Sequence, residues 1–232
     1  MIKSPLILSI ETATDICSVA LAKGEKILCT KTSTEPNSHS KLLATFIQEV
    51  FANYGDSLRK DLNAIAISKG PGSYTGLRIG VSSAKGLAYA LDIPLIAIDT
   101  LKILAHRAKI KYNDCYYLPM IDARRMEVYT ALYDENMNVL KDISADIIEG
   151  DLYENYHRDK KIVVVGNGAS KCKEILSKDI YIFDGDINLN AEYMTWLALD
   201  KYNNKEFEDT AYFEPYYLKD FIAKKSVVKG LY

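Results

Sequence analysis

The sequence predicts an α/β protein built from two halves that share one order of elements. Apolar side chains recur at every second position in short segments, as in half-buried strands, and three or four positions apart in longer ones, as on a helix face. The order of three strands, helix, strand, helix, strand, helix (βββαβαβα) occurs twice in the 232 residues. Because a meander pairs antiparallel strands and crossover helices connect parallel ones, each half is expected to hold a mixed sheet.

The first half is predicted to open with a three-strand meander, followed by helix, strand, helix, strand and helix. N-cap residues precede the first helix, and a glycine-rich loop precedes the second. The predicted strands are 6–10, 16–21, 26–32, 62–68 and 95–99, and the helices follow 37–40, 69–75 and 99, ending near 55, 91 and 109. These elements make residues 1–109 an N-terminal subdomain.

The second half repeats the order, except that a break near Gly150 stands where the first helix would be. The predicted strands are 116–121, 127–133, 139–148, 162–165 and 180–183, and the helices are 169–178 and 191–202. These elements make residues 110–232 a reduced C-terminal subdomain with a basic, aromatic tail.

Composition indicates an ordinary globular protein, with 48% hydrophobic and 26% charged residues. The net charge of -2 gives no general attraction to nucleic acid or anionic membrane. The four cysteines are scattered and predict free thiols in a reducing compartment. No apolar run approaches the ~18 residues of a membrane span, so we expect a cytoplasmic protein without membrane contact.

Two halves of this kind describe the architecture shared by actin, the heat-shock ATPases and the sugar kinases, the actin-like or ribonuclease H-like (ASKHA) fold. Three stretches are more specific: Ile-Leu-Ser-Ile-Glu-Thr-Ala-Thr at 7–14, Gly-Pro-Gly-Ser-Tyr-Thr-Gly-Leu-Arg-Ile-Gly at 70–80, and Asp-Ala-Arg at 122–124 followed by Glu-Val-Tyr at 127–129. They resemble the TsaB family, formerly YeaZ, and the likeness extends to 217–219.

The resemblance implies a part in the bacterial machinery that puts threonylcarbamoyl on N6 of adenosine 37 in tRNAs. In that machinery TsaB is described as a non-catalytic partner of the transferase TsaD, with the ATPase TsaE as a third member. The resemblance therefore implies a subunit that binds and activates a TsaD-like transferase, within a ternary complex that includes a TsaE-like ATPase.

The residues can be tested for chemistry against this expectation. An actin-type ATPase grips phosphate at two Asp-x-Gly turns, because glycine lets backbone N–H groups approach the phosphate. Here the turns begin at Glu11 and Asp122, and each has a side chain where the glycine is needed. Gly166 and Gly168 stand at the place of an adenosine contact, although a tight strand-to-helix turn is the plainer interpretation. The rival hypothesis is an autonomous ATP-dependent enzyme of the actin and sugar-kinase class, with both carboxylates orienting a metal ion.

No cofactor, metal or catalytic residue is predicted. By resemblance to TsaD, which places two histidines one helical turn apart, the equivalent positions here are Thr100 and Leu104, and leucine cannot bind a metal. The three histidines, His39, His106 and His157, form no pair at helical spacing, and His39 is interpreted as a residue of a helix start. No serine or cysteine stands in a recognisable nucleophile pattern.

Two helices carry the predicted interface. Glycine and alanine recur at every fourth position of the second helix and form a smooth ridge, and the apolar arc of the first helix is about 180° wide, more than one sheet face needs. Deeper burial within the chain is the alternative. The resemblance favours docking on TsaD, or on a second copy as a homodimer. The predicted interface residues are Leu43, Phe46, Ile47, Gly76, Gly80, Ala84 and Ala88.

Two further segments allow contact with an anion. Arg124 and Arg125 lie in a hairpin where cross-strand ion pairs with Asp122 and Glu127 are the plainer interpretation. The tail interleaves basic and aromatic residues, a pattern that suits RNA but usually covers a packed surface. These tail residues are Tyr212, Phe213, Tyr216, Tyr217, Lys219, Phe221, Lys224, Lys225 and Lys229. Contact with tRNA is expected to be indirect or weak.

Overall fold

The computed structural model describes residues 4–55, 58–156 and 160–219. His157, Phe221, Lys224, Lys225 and Lys229 lie outside the described residues. In the first half the strands are β1 (Leu6–Glu11), β2 (Cys17–Lys23), β3 (Lys26–Ser33), β4 (Ala64–Gly70) and β5 (Leu95–Asp99), and the helices are α1 (His39–Tyr54), α2 (Leu58–Asp61), α3 (Tyr74–Leu91) and α4 (Thr100–Lys111). The predicted strands and helices of this half are confirmed, and the short α2 was not predicted.

The first sheet has the strand order β3-β2-β1-β4-β5. The meander β1, β2 and β3 is antiparallel, whereas β1, β4 and β5 run parallel. Strand β1 is central and buried along its whole length, because both faces of the sheet are covered by helices. The mixed sheet expected for the first half is therefore confirmed.

The second half builds a second sheet of the same design. Its strands are β6 (Tyr116–Asp122), β7 (Glu127–Tyr133), β8 (Val139–Ile147), β9 (Ile162–Val165) and β10 (Tyr181–Asp184), and its helices are α5 (Ala169–Cys172) and α6 (Thr195–Asn203). The order β8-β7-β6-β9-β10 repeats that of the first sheet strand by strand. The internal repeat predicted from the order of elements is confirmed.

One predicted helix of the second half is much shorter than expected. The apolar spacing predicts a helix over 169–178, but α5 ends at Cys172. The backbone N–H of Ile175 bonds to the carbonyl of Cys172, three residues back, so the chain tightens into turns. These turns bury Leu176 completely under the second sheet.

Helices lie between the two sheets and outside each of them. Helices α1 and α3 cover the outer face of the first sheet, and α5 lies on the outer face of the second. Between the sheets, α4 packs on β6 and α6 packs on β1 and β5, so each half lends a helix to the other. Because the two halves share this central core, the division at residue 109 stays a prediction.

The segment after α6 returns across the first half. The N–H of Glu208 donates to the carbonyl of Leu95, and the N–H of Tyr216 donates to the carbonyl of Lys69. The ammonium of Lys85 on α3 donates to two further carbonyls of this segment. Residues 208–216 are thus fixed to the edge of the first sheet and to α3. Among the described residues, no helix is both long enough and apolar enough to cross a membrane.

The glycine and alanine ridge of α3 packs inside the first half, against the turn after β1. A Cβ at Gly76 would lie 2.1 Å from the carbonyl oxygen of Thr12, and a Cβ at Gly80 would lie 2.1 Å from Thr12 Oγ1. Ala84 and Ala88 continue the ridge and are buried. This corrects the predicted interface: the close approach that these small residues permit is made within the chain.

We predict that Gly76→Ala destabilises the protein by about 3 kcal/mol, because the added methyl group collides with a backbone carbonyl. Gly86→Ala is the matched control on the same helix. No described atom lies within 4 Å of a Cβ at Gly86, so alanine there should stabilise the protein by about 0.5–1 kcal/mol through helix propensity. Urea unfolding of the two variants measures both effects. Equal stability changes would contradict the tight packing of α3 on the β1 turn.

Candidate functional site

The turn after β1, where an ATPase would hold phosphate, is filled by the chain itself. The N–H of Ser73 donates to the carbonyl of Ala13 over 2.7 Å, and Thr12 Oγ1 donates to the carbonyl of Gly76 over 2.8 Å. Gly72 also presses on the turn, since a Cβ there would lie 2.4 Å from the carbonyl oxygen of Ala13. The glycine-rich loop and the first turn of α3 therefore pack on the carbonyls of this turn, while the N–H of Ala13 already donates to Glu11 Oε1.

Glu11 is fully buried beneath this turn. Its Oε1 accepts hydrogen bonds from the N–H of Ala13 over 2.7 Å and from the hydroxyl of Ser68 over 2.8 Å. Within the described residues Oε2 has no hydrogen-bond partner. Burial raises the pKa of Glu11 to about 7, against the opposing effect of the hydrogen bonds. Glu11 is therefore enclosed by the chain in this structure, and its assignment as a metal-orienting carboxylate stays a prediction.

Asp122 lies at the second predicted turn and is exposed. Its carboxylate accepts from the N–H of Arg124 over 2.8 Å and from the ammonium of Lys171. The N–H of Asp122 donates to Asn167 Oδ1 over 3.0 Å. Each of these contacts holds the turn in shape, and Asp122 shares no hydrogen bond with Glu11. The joint assignment of the two carboxylates to one metal site stays a prediction.

Gly166 and Gly168 let the turn between β9 and α5 pack against the end of β6. The N–H of Gly168 donates to the carbonyl of Met120 over 3.0 Å. A Cβ at Gly166, whose φ is +95°, would lie 2.4 Å from the same carbonyl oxygen. This is the tight strand-to-helix turn of the plainer interpretation. The side of each glycine where a Cβ would stand is occupied by the end of β6, and the adenosine contact stays a prediction.

The two positions compared with metal-binding histidines are buried in the packing of the chain. Thr100 Oγ1 accepts from the N–H of Gly70 over 3.0 Å. Leu104 is buried, and its Cδ1 lies 3.0 Å from where a Cβ at Gly166 would stand. Within the described ranges, no three His, Cys, Asp or Glu side chains are grouped so as to hold a metal ion.

The remaining titratable candidates have structural contacts. His39 is buried at the start of α1, with Nε2 3.3 Å from the carbonyl oxygen of Ile16, which fits the predicted place at a helix start. His106 stacks on Trp196 with ring centroids 5.0 Å apart. All four cysteines are free thiols, and burial raises the pKa of each one above its ordinary value. Such thiols are poor nucleophiles because the thiolate is disfavoured.

The predicted interface residues divide into two groups. Leu43 on α1 is buried together with the α3 ridge, so these side chains are not available to a partner. Phe46 and Ile47 are half-buried and pack on the edge of the outer core. The wide apolar arc of α1 is thus partly used inside the chain, as the alternative interpretation held, and partly left open.

An apolar groove of about 610 Å³ lies between α1 and α3. Its apolar walls are made of half-buried side chains, and exposed residues lie at its rim. The walls are Ile47, Phe51, Leu87 and Leu91, and Gln48, Ala52, Gly55 and Ala90 complete the lining. Sequence reasoning missed the α3 half of this groove. The sequence pattern that could have indicated it is the pair Leu87 and Leu91. These two leucines lie four positions apart, on the side of α3 away from Lys85.

Comparisons with known proteins identify the family of this chain. The family model described as "TsaD: tRNA N6-adenosine threonylcarbamoyltransferase" matches residues 31–225. The tRNA threonylcarbamoyladenosine biosynthesis protein TsaB of Escherichia coli (strain K12) is 32% identical over 232 residues, covering 95% of this chain and 97% of that protein. This chain belongs to the TsaB family.

Further relatives extend the TsaB likeness. The TsaB protein of Bacillus subtilis (strain 168) is 32% identical over 190 residues, which cover 81% of each chain. The solved structure of YeaZ from Pseudomonas aeruginosa superposes with a TM-score of 0.79 at 27% identity, covering 92% of this chain and all of that one. The predicted TsaB resemblance and the predicted fold are both confirmed.

We predict that Glu11 makes this TsaB-family chain less stable as the pH rises. The carboxyl has a pKa of about 7 in the folded chain and an ordinary value of 4.5, so between these values the folded state binds the extra proton and stability falls with pH. From pH 5 to pH 8 the loss of this proton should lower the free energy of unfolding by about 2–3 kcal/mol.

Glu11→Gln keeps the shape of the side chain and removes its titration. The difference in free energy of unfolding between the original and Glu11→Gln should therefore shift by about 2–3 kcal/mol in favour of the variant between pH 5 and pH 8. Urea unfolding at the two pH values measures this, and taking the difference cancels all other titrating groups. A difference that stays constant with pH would contradict the buried, protonated carboxyl.

Proposed function

We propose that this TsaB-family chain is a non-catalytic subunit required for threonylcarbamoylation of N6 of adenosine 37 in tRNAs, and that it binds and activates a TsaD-type transferase. The observation that carries the proposal is the packing of α3 on the turn after β1. Where a phosphate site would be, the chain packs α3 on Thr12 and Ala13. The same helix lines an apolar groove that is open to solvent. The names of the relatives concern threonylcarbamoyladenosine biosynthesis.

The groove supports docking on a protein of related fold. A family model named for the transferase matches residues 31–225 of this chain, so a transferase with that domain would offer helices equivalent to α1 and α3. Two helix pairs of the same design are able to pack across a pseudo-twofold axis, in the manner of an isologous interface. The same argument permits a homodimer of this chain, which stays a prediction, as does a TsaE-like ATPase in a ternary complex.

Activation by docking needs only a difference in affinity. A subunit that binds the active form of a transferase more tightly than the inactive form shifts the population by that ratio of affinities and by no more. No catalytic group need come from this chain. The tight packing of α3 on the turn after β1 suits this role, because a docking surface that is already ordered loses less entropy on binding.

We predict that Ala90→Glu abolishes stable binding to a TsaD-type transferase. Ala90 is exposed at the rim of the groove, so the charge should leave the fold intact and be buried without a partner in the complex. Ser82→Glu is the matched control, since Ser82 is exposed on the same helix but does not line the groove. Co-purification with the transferase and thermal unfolding of both variants test this. Equal retention of the transferase would contradict docking in the groove.

Reconstitution of the modification separates the subunit from the rival enzyme. With a transferase and the other components present, modified adenosine should appear with this chain, fall strongly with Ala90→Glu and be retained with Ser82→Glu. The chain alone should not hydrolyse ATP at an enzymatic rate.

ATP turnover by the chain alone, if it were lost in Asp122→Ala, would favour the autonomous enzyme instead.

A further inference from the structure

The turn between β6 and β7 holds two consecutive arginines in a costly backbone conformation. Arg124 has φ of 74° and Arg125 has φ of 51°. The left-handed region costs an ordinary L-residue roughly 1–2 kcal/mol, whereas glycine and asparagine adopt it more easily. Both arginines are exposed, so burial of their side chains does not compensate for this conformation.

A network of hydrogen bonds holds this turn in place. The ammonium of Lys171 donates to the carbonyls of Arg125 over 2.8 Å and of Glu127 over 2.7 Å, and also to the Asp122 carboxylate. The same carboxylate accepts from the N–H of Arg124. The turn is therefore built to present two arginine side chains at its tip, and strain supported in this way is a feature of functional sites.

The carboxylates near the turn are already neutralised. Asp122 pairs with Lys171, and both oxygens of Glu127 accept from the ammonium of Lys219, at 2.7 and 2.6 Å. Within the described part of the chain, neither guanidinium has a hydrogen-bond or ion-pair partner. Four cationic side chains thus face two carboxylates, a local excess of two positive charges in a chain whose net charge is -2.

Aromatic side chains lie beside this charge. Tyr217 packs on Tyr74 with ring centroids 4.8 Å apart, and the guanidinium of Arg78 lies 5.4 Å from the Tyr74 ring centroid. Tyr216 and Tyr217 are 40% and 38% exposed. Because Lys219 follows Tyr217 by two residues, its backbone lies within about 7 Å of that of the tyrosine. Through its ion pair with Glu127, Lys219 therefore connects the segment of Tyr216 and Tyr217 to the arginine turn.

We propose that Arg124 and Arg125, together with the neighbouring surface of Arg78, Tyr74 and Tyr217, bind RNA by contacting its phosphates and stacking on unpaired bases. Guanidinium groups bind phosphate oxygens in pairs, and tyrosine faces stack on bases of any sequence. An acidic peptide would use the charges but not the aromatic faces. The inference rests on the proposed function, for which tRNA is the substrate, and goes beyond the weak or indirect contact predicted from the sequence.

The decisive variant is the double change Arg124→Asn and Arg125→Gly. It replaces the two side chains with residues that suit the backbone of the turn, so the melting temperature should stay the same or rise. Binding of a fluorescently labelled, unmodified tRNA transcript by the full chain should weaken at least tenfold at low salt. The slope of log affinity against log salt should also become less steep by about 1.4, as expected for two lost phosphate contacts to a single strand.

Two controls make the result specific. Lys23→Ala with Lys26→Ala removes the same charge from an exposed turn elsewhere on the chain and should leave most of the tRNA affinity. Arg124→Lys with Arg125→Lys keeps the charge and should retain the salt slope. Co-purification with the transferase, measured on the same samples, should be unchanged in all of these variants.

Unchanged tRNA affinity and salt slope in the Asn-Gly variant would overturn the inference while leaving the proposed docking function in place. Loss of transferase binding with unchanged tRNA affinity would also overturn it, because the turn would then be a protein contact. If the Asn-Gly variant lost affinity for ATP but kept its affinity for tRNA, the turn would be a site for a free nucleotide, and this too would refute RNA binding. Failure of Ala90→Glu to release the transferase bears on the docking function alone.

Discussion

The position of α3 depends on one contact, the seating of its first turn on the backbone after β1. Two hydrogen bonds make this contact, from the N–H of Ser73 to the carbonyl of Ala13 and from the hydroxyl of Thr12 to the carbonyl of Gly76. Glycine is required at position 76 because any side chain would enter the opposing carbonyl. With one face of α3 fixed in this way, a second face lines the groove with α1, and a third carries Lys85 and Arg78 toward the returning chain.

The repeated fold could be predicted from periodicity, because strands and helices buried on one face carry their period in the sequence. The end of α5 at Cys172 could not, since it depends on where Leu176 finds space under the second sheet. The glycine ridge shows a similar limit. Its spacing correctly indicates a close approach, but the same spacing suits a sheet, another helix or a partner, and only the tertiary structure identifies Thr12 as the contact.

The candidate site was less predictable than the fold because it, too, depends on tertiary packing. Glu11 and Asp122 occupy equivalent turns in the two halves, yet one is fully buried and the other exposed. The difference comes from what packs on each turn: a long helix with a glycine start on the first, and the short α5 on the second. Sequence reasoning identifies the type of residue in a turn, whereas burial decides whether its charge is usable.

The hydrogen bonds of the first turn also differ from those that a phosphate-binding turn makes. A phosphate turn needs open space in front of its backbone N–H groups. Here the N–H of Ala13 already donates to Glu11 Oε1, while the carbonyl of Ala13 accepts from Ser73 and is closely approached by Gly72. Replacing Ala13 by glycine would leave these backbone contacts in place, so the turn would keep its N–H bonded to Glu11 and its carbonyl bonded to Ser73. A single substitution toward the ATPase pattern would therefore not free the N–H for a phosphate.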